Sequence, residues 1–170
     1  MRLTAHGGHL QPLPPRPMPR HWLMKSEPDE VSIDHLAAAP GATLPWTGVR
    51  NYQARNFMRD QMALGDDVLF YHSSCPQPGI AGLARIASAA VADSTQFDAA
   101  SPYFDGKSPP AQPRWLQIDV TLVRKTRLLT LAQMRAAPSL ATMTVLRPGN
   151  RLSISPVSSA EWQAVLALLA

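Results

Sequence analysis

The 170-residue chain contains a single cysteine, Cys75, so an internal disulfide and any zinc site built from several cysteines are excluded. It has no run of eighteen or more apolar residues, so we expect no transmembrane helix. Its N-terminus lacks the continuous apolar stretch of a signal peptide. Neither phosphate-cradling glycine motif, G-x-x-x-x-G-K-[ST] or G-x-G-x-x-G, occurs. These absences argue against nucleotide-hydrolysing and dinucleotide-dependent enzymes, and favour a cytoplasmic protein with no membrane partner.

Excess positive charge is also scarce outside the N-terminal region. The net charge is +4 and the isoelectric point is about 9.7. Of the 16 lysines and arginines, however, Arg2, Arg16 and Arg20 belong to the first twenty residues, which leaves 13 basic against 12 acidic residues. The high isoelectric point is therefore weak evidence for nucleic-acid binding, and a basic surface would have to arise from local clustering.

Two segments differ sharply in composition. Residues 1–19 contain five closely spaced prolines and a glycine pair, which favours a disordered proline-rich tail because proline removes backbone donors and fixes φ. Residues 20–170 have the hydrophobic and charged fractions of an ordinary globular domain. We therefore expect one folded domain over 20–170.

The pattern within this domain predicts strands alternating with short helices. Strands are expected at 21–25, 68–72, 80–91, 115–123 and 151–154. Helices are expected from Ser32 to about residue 39, over 49–62, over 130–137 and over 159–169. Residues 93–114 are predicted to form a long loop, which in a compact domain is usually functional or mobile. The order predicts an α+β fold, a small closed or nearly closed β-barrel of mixed or antiparallel strands with peripheral short helices.

An enzymatic interpretation rests on Ser26, Glu27 and His72, which supply residue types used in acyl transfer or in reactions of nucleotides and small molecules. No G-x-S-x-G motif supports it. His72 and Cys75 could ligate a metal, but further ligands at suitable spacing are lacking, so we expect neither a metal nor a cofactor. Turn-forming serines and a strand-end histidine explain the same residues more simply.

Aromatic and basic residues are concentrated in the first half of the domain. A nucleobase stacks on an aromatic ring, its edge needs neutral donors and acceptors, and its phosphates need arginine or lysine. The same aromatic residues are more often part of the core, and arginines on a helix face are more often solvated, so these types alone do not establish binding. The set comprises Trp22, Trp46, Tyr52, Phe70 and Tyr71 with Lys25, Arg50, Arg55 and Arg59.

Several long blocks of this chain resemble the EVE domain family, a member of the PUA-like superfamily. The first two are WLMKSEP at 22–28 and WTGVRNYQARN at 46–56. Further blocks follow in the family's order at 65–68, 70–75, 78–82, 98–103, 113–115 and 149–153, and the resemblance runs from about residue 20 to the C-terminus. Ser74 departs from the asparagine of many members, which puts a contact from that position in doubt.

This resemblance implies a PUA-like fold that binds nucleic acid at a modified base, in DNA rather than RNA, without altering it. A stand-alone reader of this kind would act by occupancy or with an effector protein supplied separately; an RNA-binding PUA-like module and the enzyme remain alternatives. By the motifs, the base pocket would use Trp22 or Trp46 as stacking face and Ser26, Asn51 and His72 as edge readers. The nucleic-acid backbone would be contacted by Lys25, Arg50, Arg55 and Arg151.

Overall fold

The computed structural model describes residues 18–170, and seven strands of this part form the centre of the fold. The strands are β1 (His21–Ser26), β2 (Thr43–Trp46), β3 (Asp67–His72), β4 (Gly79–Ile86), β5 (Val91–Ala92), β6 (Leu116–Thr130) and β7 (Ile154–Val157). The helices are α1 (Ile33–Ala38), α2 (Tyr52–Asp60), α3 (Leu131–Ala136) and α4 (Ser159–Leu169). Short 3₁₀ turns cover Pro40–Ala42, Ser94–Phe97, Pro138–Leu140 and Thr144–Leu146. Most of the predicted tail, residues 1–17, lies outside the described residues.

The strands form one mixed sheet in the order β2-β6-β4-β3-β1-β7, with β5 added on β6. β3, β4 and β6 pair antiparallel, whereas β1 and β3 run parallel, with His21 opposite Asp67 and Ser26 opposite His72. Among residues 18–170 no strand pairing joins β2 to β7. The sheet is therefore not the closed barrel that was one of the two expectations.

The sheet is nevertheless strongly curled. β2 and β3 are separated by β6 and β4, so in a flat sheet they would lie about 14 Å apart, at about 4.8 Å per strand. Yet the ring of Trp46 at the end of β2 packs edge-on against Phe70 of β3, with centroids 5.4 Å apart. The curl brings the ends of distant strands around one concave face.

Two hydrophobic clusters cover the two faces of the sheet. Along β1, Trp22 and Met24 belong to one cluster and Leu23 to the other, the alternation of a strand buried on both faces. Helices α1 and α2 cover the concave face, and α3 and α4 cover the opposite face. The site described below lies where the concave face is left partly open.

Several element boundaries differ from the prediction. The helix expected over 49–62 is shorter because Asn51 is its N-cap, accepting the N–H of Ala54 at 3.0 Å. The strand expected over 80–91 ends at Ile86, the last strand occupies Ile154–Val157 rather than 151–154, and β2 was not predicted. In the described part of the chain, no helix has the length and apolar character needed to span a membrane.

Candidate functional site

A cavity of about 670 Å³ opens on the concave face between the ends of β1 and β2 and the segment 93–114. Its volume is within the range of small-molecule binding sites. Trp46 forms part of its apolar wall together with Phe70, and Leu44 and Val120 continue that wall. The rest of the lining is mixed, with apolar residues such as Val49 beside hydroxyl, carboxylate and basic groups. The cavity thus combines an aromatic wall with hydrogen-bonding groups.

The β1 side of the cavity is built by the turn that follows the strand. The hydroxyl of Ser26 donates to the carbonyl of Val31 at 2.7 Å, and the N–H of Val31 donates to the carbonyl of Glu27 at 3.0 Å. These bonds hold Glu27 and Glu30 at the cavity wall beside Lys25. Burial lowers the pKa of Lys25, since desolvation disfavours its charged form.

The opposite wall is the segment 93–114, which is fixed at its base by Asp93. This carboxylate is fully buried and accepts from the N–H of Gly48 at 2.8 Å, from Arg50 at 2.9 Å and from the hydroxyl of Thr95 at 2.6 Å. Burial acts to raise the pKa of Asp93, but the hydrogen bonds from Thr95, Gly48 and Arg50 outweigh it and hold that pKa below its usual range. Asp93 is therefore ionised at neutral pH.

Gln96 fixes the same segment from inside. It is fully buried, and its amide donates to the carbonyls of Asp93 at 2.7 Å and Trp115 at 2.9 Å. Its oxygen accepts from the hydroxyl of Ser108 at 2.6 Å and from the N–H of Trp115 at 3.1 Å. The predicted long loop is thus an internally hydrogen-bonded wall.

Tyr103 connects the two walls. Its hydroxyl donates to the carboxylate of Glu30, with oxygen–oxygen distances of 2.6 and 2.7 Å. Its ring lies against Gly48, where an added Cβ would come within 2.8 Å of the ring. Burial and the neighbouring Glu30 carboxylate raise the pKa of Tyr103 to about 12. The phenol therefore stays protonated and able to donate at neutral pH.

Residues 20–168 match the protein family described as EVE domain. The chain belongs to the EVE domain family. Human thymocyte nuclear protein 1 is 42% identical over 165 residues, covering 87% of this chain and 73% of that protein. A solved Pseudomonas putida protein has a TM-score of 0.84 and 46% identity, covering 88% of this chain and 99% of that one. The human THYN1 protein, solved in complex with DNA containing 5-methylcytosine, has a TM-score of 0.81 and 43% identity, covering 88% of this chain and 96% of that one.

Membership of the EVE family confirms the predicted family and the PUA-like α+β fold. Four of the nine predicted site residues line the cavity of this EVE domain. These are Ser26 and Trp46 from the predicted base pocket, and Lys25 and Arg151 from the predicted backbone contacts. The structure thus brings together, at one cavity, residues separated by more than a hundred positions in sequence.

Three predicted pocket residues are placed elsewhere. Trp22 is 1% exposed, packs on Phe57 and donates its indole N–H to Asp66 at 3.0 Å, so it has no free face for a base. Asn51 caps α2. His72 accepts the N–H of Ile33 at 3.1 Å, and burial lowers its pKa, which keeps this acceptor neutral. None of the three belongs to the cavity lining, which corrects the expectation.

Two predicted backbone contacts, Arg50 and Arg55, do not line this cavity. All five N–H donors of Arg50 are used, toward Asp93, Thr95 and the carbonyls of Val49 and Tyr103. Arg50 therefore fixes the cavity wall and keeps no donor for a phosphate. Arg55 lines a second, separate cavity.

The catalytic alternative finds no assembled site. Ser26 donates to a backbone carbonyl, and the Nε2 atom of His72 is occupied by the N–H of Ile33, so neither activates the other. Within residues 18–170, no three His, Cys, Asp or Glu side chains lie close enough together to hold a metal ion.

Sequence reasoning missed Glu30, Asp93 and Tyr103 as site residues. Tyr103 ended one of the blocks that resemble the EVE family, and this was the available signal. Asp93 lies 43 positions from Arg50, and nothing local marks such a pairing.

Proposed function

We propose that this EVE domain binds a modified nucleobase in DNA, 5-methylcytosine being the first candidate, in the 670 Å³ cavity beside Trp46. The observation that carries the proposal is the complex of the 43% identical human THYN1 protein with DNA that contains 5-methylcytosine. The cavity supports the proposal as well, because its lining contains an aromatic face, several hydroxyl groups and charged groups of both signs.

The energetics of base binding fit these features. A base taken out of a duplex loses stacking and pairing worth a few kcal/mol, which the pocket must recover. Stacking on an aromatic ring supplies about 1–3 kcal/mol. Trp46 is the aromatic side chain placed for this role, because Phe70 lies behind it and supports its ring edge-on. Lys25 and Arg151, at the same cavity, would contact the adjoining phosphates.

The test compares oligonucleotides that carry one 5-methylcytosine or one cytosine at the same position, as DNA and as RNA, at one salt concentration. Wild-type protein is expected to prefer the modified DNA. Trp46→Ala is expected to weaken binding of the modified strand by roughly 5- to 150-fold, the equivalent of one lost stack. Trp46→Phe retains an aromatic face and controls for the loss of packing on Phe70.

Three outcomes contradict the proposal. Equal affinity of wild-type protein for modified and unmodified DNA would leave a nonspecific nucleic-acid binder. Stronger binding to RNA would favour the RNA-binding alternative. A change in oligonucleotide mass after incubation would indicate an enzyme.

A further inference from the structure

A second cavity, of about 470 Å³, lies between α2 and the C-terminal part of the segment 93–114. Its lining includes three arginines, Arg55, Arg59 and Arg114, together with Gln112, and contains no carboxylate. The first cavity has a different character, because Glu27 and Glu30 offset Lys25 and Arg151 at its lining. Positive charge in a concave surface concentrates anions, so the lining of the second cavity favours an anion more than that of the first.

Arg55 is held in place within this second cavity. It donates to the carbonyl of Arg114 at 2.8 Å and to the side chain of Asn56 at 3.0 Å, and its guanidinium lies 4.9 Å from the centre of the Tyr52 ring. These contacts use two of its five N–H donors. The guanidinium is thus fixed between α2 and the segment 93–114 with donors to spare, the arrangement that favours bidentate contact with a phosphate.

Arg59 is exposed and Arg114 is partly buried, and each lies near a carboxylate. Arg59 pairs with its neighbour Asp60 at 2.8 Å, and Arg114 lies 3.7 Å from Asp105. Arg59 and Asp60 are each about half exposed in their side chains, at 52% and 51%. The exposed Arg59 pair contributes little free energy, and the Arg114 pair is long, so a phosphate can compete for both guanidinium groups at small cost.

A chain of stacked groups connects the two cavities. Tyr52 lies under Arg55 and stacks on Trp115, and Arg50 lies over the rings of both Trp115 and Tyr103. The four contacts, of 4.9, 4.8, 5.5 and 5.5 Å, place Arg55 within about 21 Å of Tyr103 at the first cavity. A DNA strand advances about 3.4 Å per nucleotide, so this distance corresponds to no more than about six nucleotides.

We propose that the second cavity binds phosphate groups of the nucleic-acid backbone a few nucleotides away from the base held in the first cavity. This proposal rests on the proposed function, since it assigns the backbone contacts of the same ligand. The first cavity then reads the base, and the second supplies affinity that does not depend on sequence. Tyr52, which is 51% exposed between the two, lies on the path of the strand.

The test uses the full chain with the double substitution Arg59→Gln and Arg114→Gln, which leaves the positioned Arg55 untouched. Affinities for the 5-methylcytosine duplex and its unmodified counterpart are measured between 50 and 200 mM salt. Each lost phosphate contact reduces the magnitude of the negative slope of log K against log salt by about 0.9, so the slope of the double variant is expected to be smaller in magnitude by about 1.8. The affinities for both duplexes should fall by the same factor, leaving their ratio unchanged.

Arg135→Gln is the matched control, because this exposed arginine lies on α3, on the opposite face of the sheet. An unchanged slope in the double variant, an equal decrease in the control, or no binding by wild-type protein would overturn the proposal. If the double variant does not fold, the single variant Arg114→Gln provides the same test, with an expected decrease of about 0.9 in the magnitude of the salt slope. The proposed function fails separately, when wild-type protein has no preference for the modified duplex but the slope still decreases in the variant.

Discussion

Asp93 connects the chemistry of one side chain to the shape of the candidate site. It accepts hydrogen bonds from Gly48, which precedes α2, and from Thr95, which begins the opposite wall of the first cavity. Its ion pair with Arg50 joins the same two parts of the chain. Because the carboxylate is fully buried, loss of its charge would leave Arg50 without its partner.

We expect Asp93→Asn to lower the free energy of unfolding at neutral pH by about 3–5 kcal/mol, the usual cost of breaking a buried pair. The folded-state pKa of Asp93 is lowered, so its stabilisation is present above the unfolded pKa and is lost as the pH falls through the folded value. The difference between wild type and variant should therefore shrink below about pH 4.

Denaturant unfolding of both proteins from pH 7 to pH 3 measures this difference. Asp98→Asn is a suitable control, since this aspartate lies on the same segment and is exposed. A difference that is independent of pH would show that the ionised form of Asp93 contributes no more than its neutral form does.

At the residue scale, the sequence identified the composition of the site better than its geometry. Trp22 and Trp46 were equal candidates for the stacking face, and both pack on the concave side of the sheet. The two side chains differ in whether another residue packs over them. Phe57 of α2 lies over Trp22, whereas Trp46 borders the open cavity. The covering residue is 35 positions away from Trp22, so no local pattern contains this information.

At the scale of elements, β2, which was not predicted, and β7, which was displaced from its predicted position, both contain a proline. Pro45 is in β2 and Pro156 is in β7, the two ends of the strand order. An edge strand needs hydrogen bonds on one side only, so it tolerates a proline that a central strand would not. Whether a proline is compatible with a strand therefore depends on the place of that strand in the sheet. The central strands β3, β4 and β6 lack proline and were predicted at their cores.

The connection between β2 and α2 depends on Gly48, which has a φ of +83° and lies against the Tyr103 ring. We expect Gly48→Ala to cost at least about 1–2 kcal/mol for the left-handed backbone. A further loss is expected because the new Cβ would displace Tyr103 from its hydrogen bond with Glu30. In the Tyr103→Ala background only the backbone cost should remain.

A double-mutant cycle by denaturant unfolding measures this coupling. We expect the cost of Gly48→Ala to be smaller in the Tyr103→Ala background by about 0.5–3 kcal/mol, the range for residues in contact. If the free-energy costs of Gly48→Ala and Tyr103→Ala are additive, the ring moves aside freely. Tyr103 then does not hold the two walls of the first cavity in one arrangement.

At the scale of the whole molecule, the curl of the sheet positions the first cavity. Alternation within a single strand predicts which of its residues face which side of a sheet. The approach of β2 to β3 depends instead on the accumulated twist of several strands, which no single segment encodes. The α+β class and the family were therefore accessible from the sequence, while the cavity required the assembled sheet.

Because the cavity is formed by elements from most of the domain, its occupation should stabilise the fold as a unit. A DNA oligonucleotide with one 5-methylcytosine, present at 100 times its Kd, is expected to add about 2.7 kcal/mol to the free energy of unfolding. For a domain of this size, that corresponds to a rise in Tm of roughly 5–11 °C. An unmodified oligonucleotide that binds tenfold more weakly, at the same concentration, would add about 1.4 kcal/mol and give roughly half the rise. Thermal unfolding with each DNA and its RNA equivalent measures these values. Equal rises for modified and unmodified DNA would contradict recognition of the modified base, even if both bind, because only differential affinity separates the two shifts.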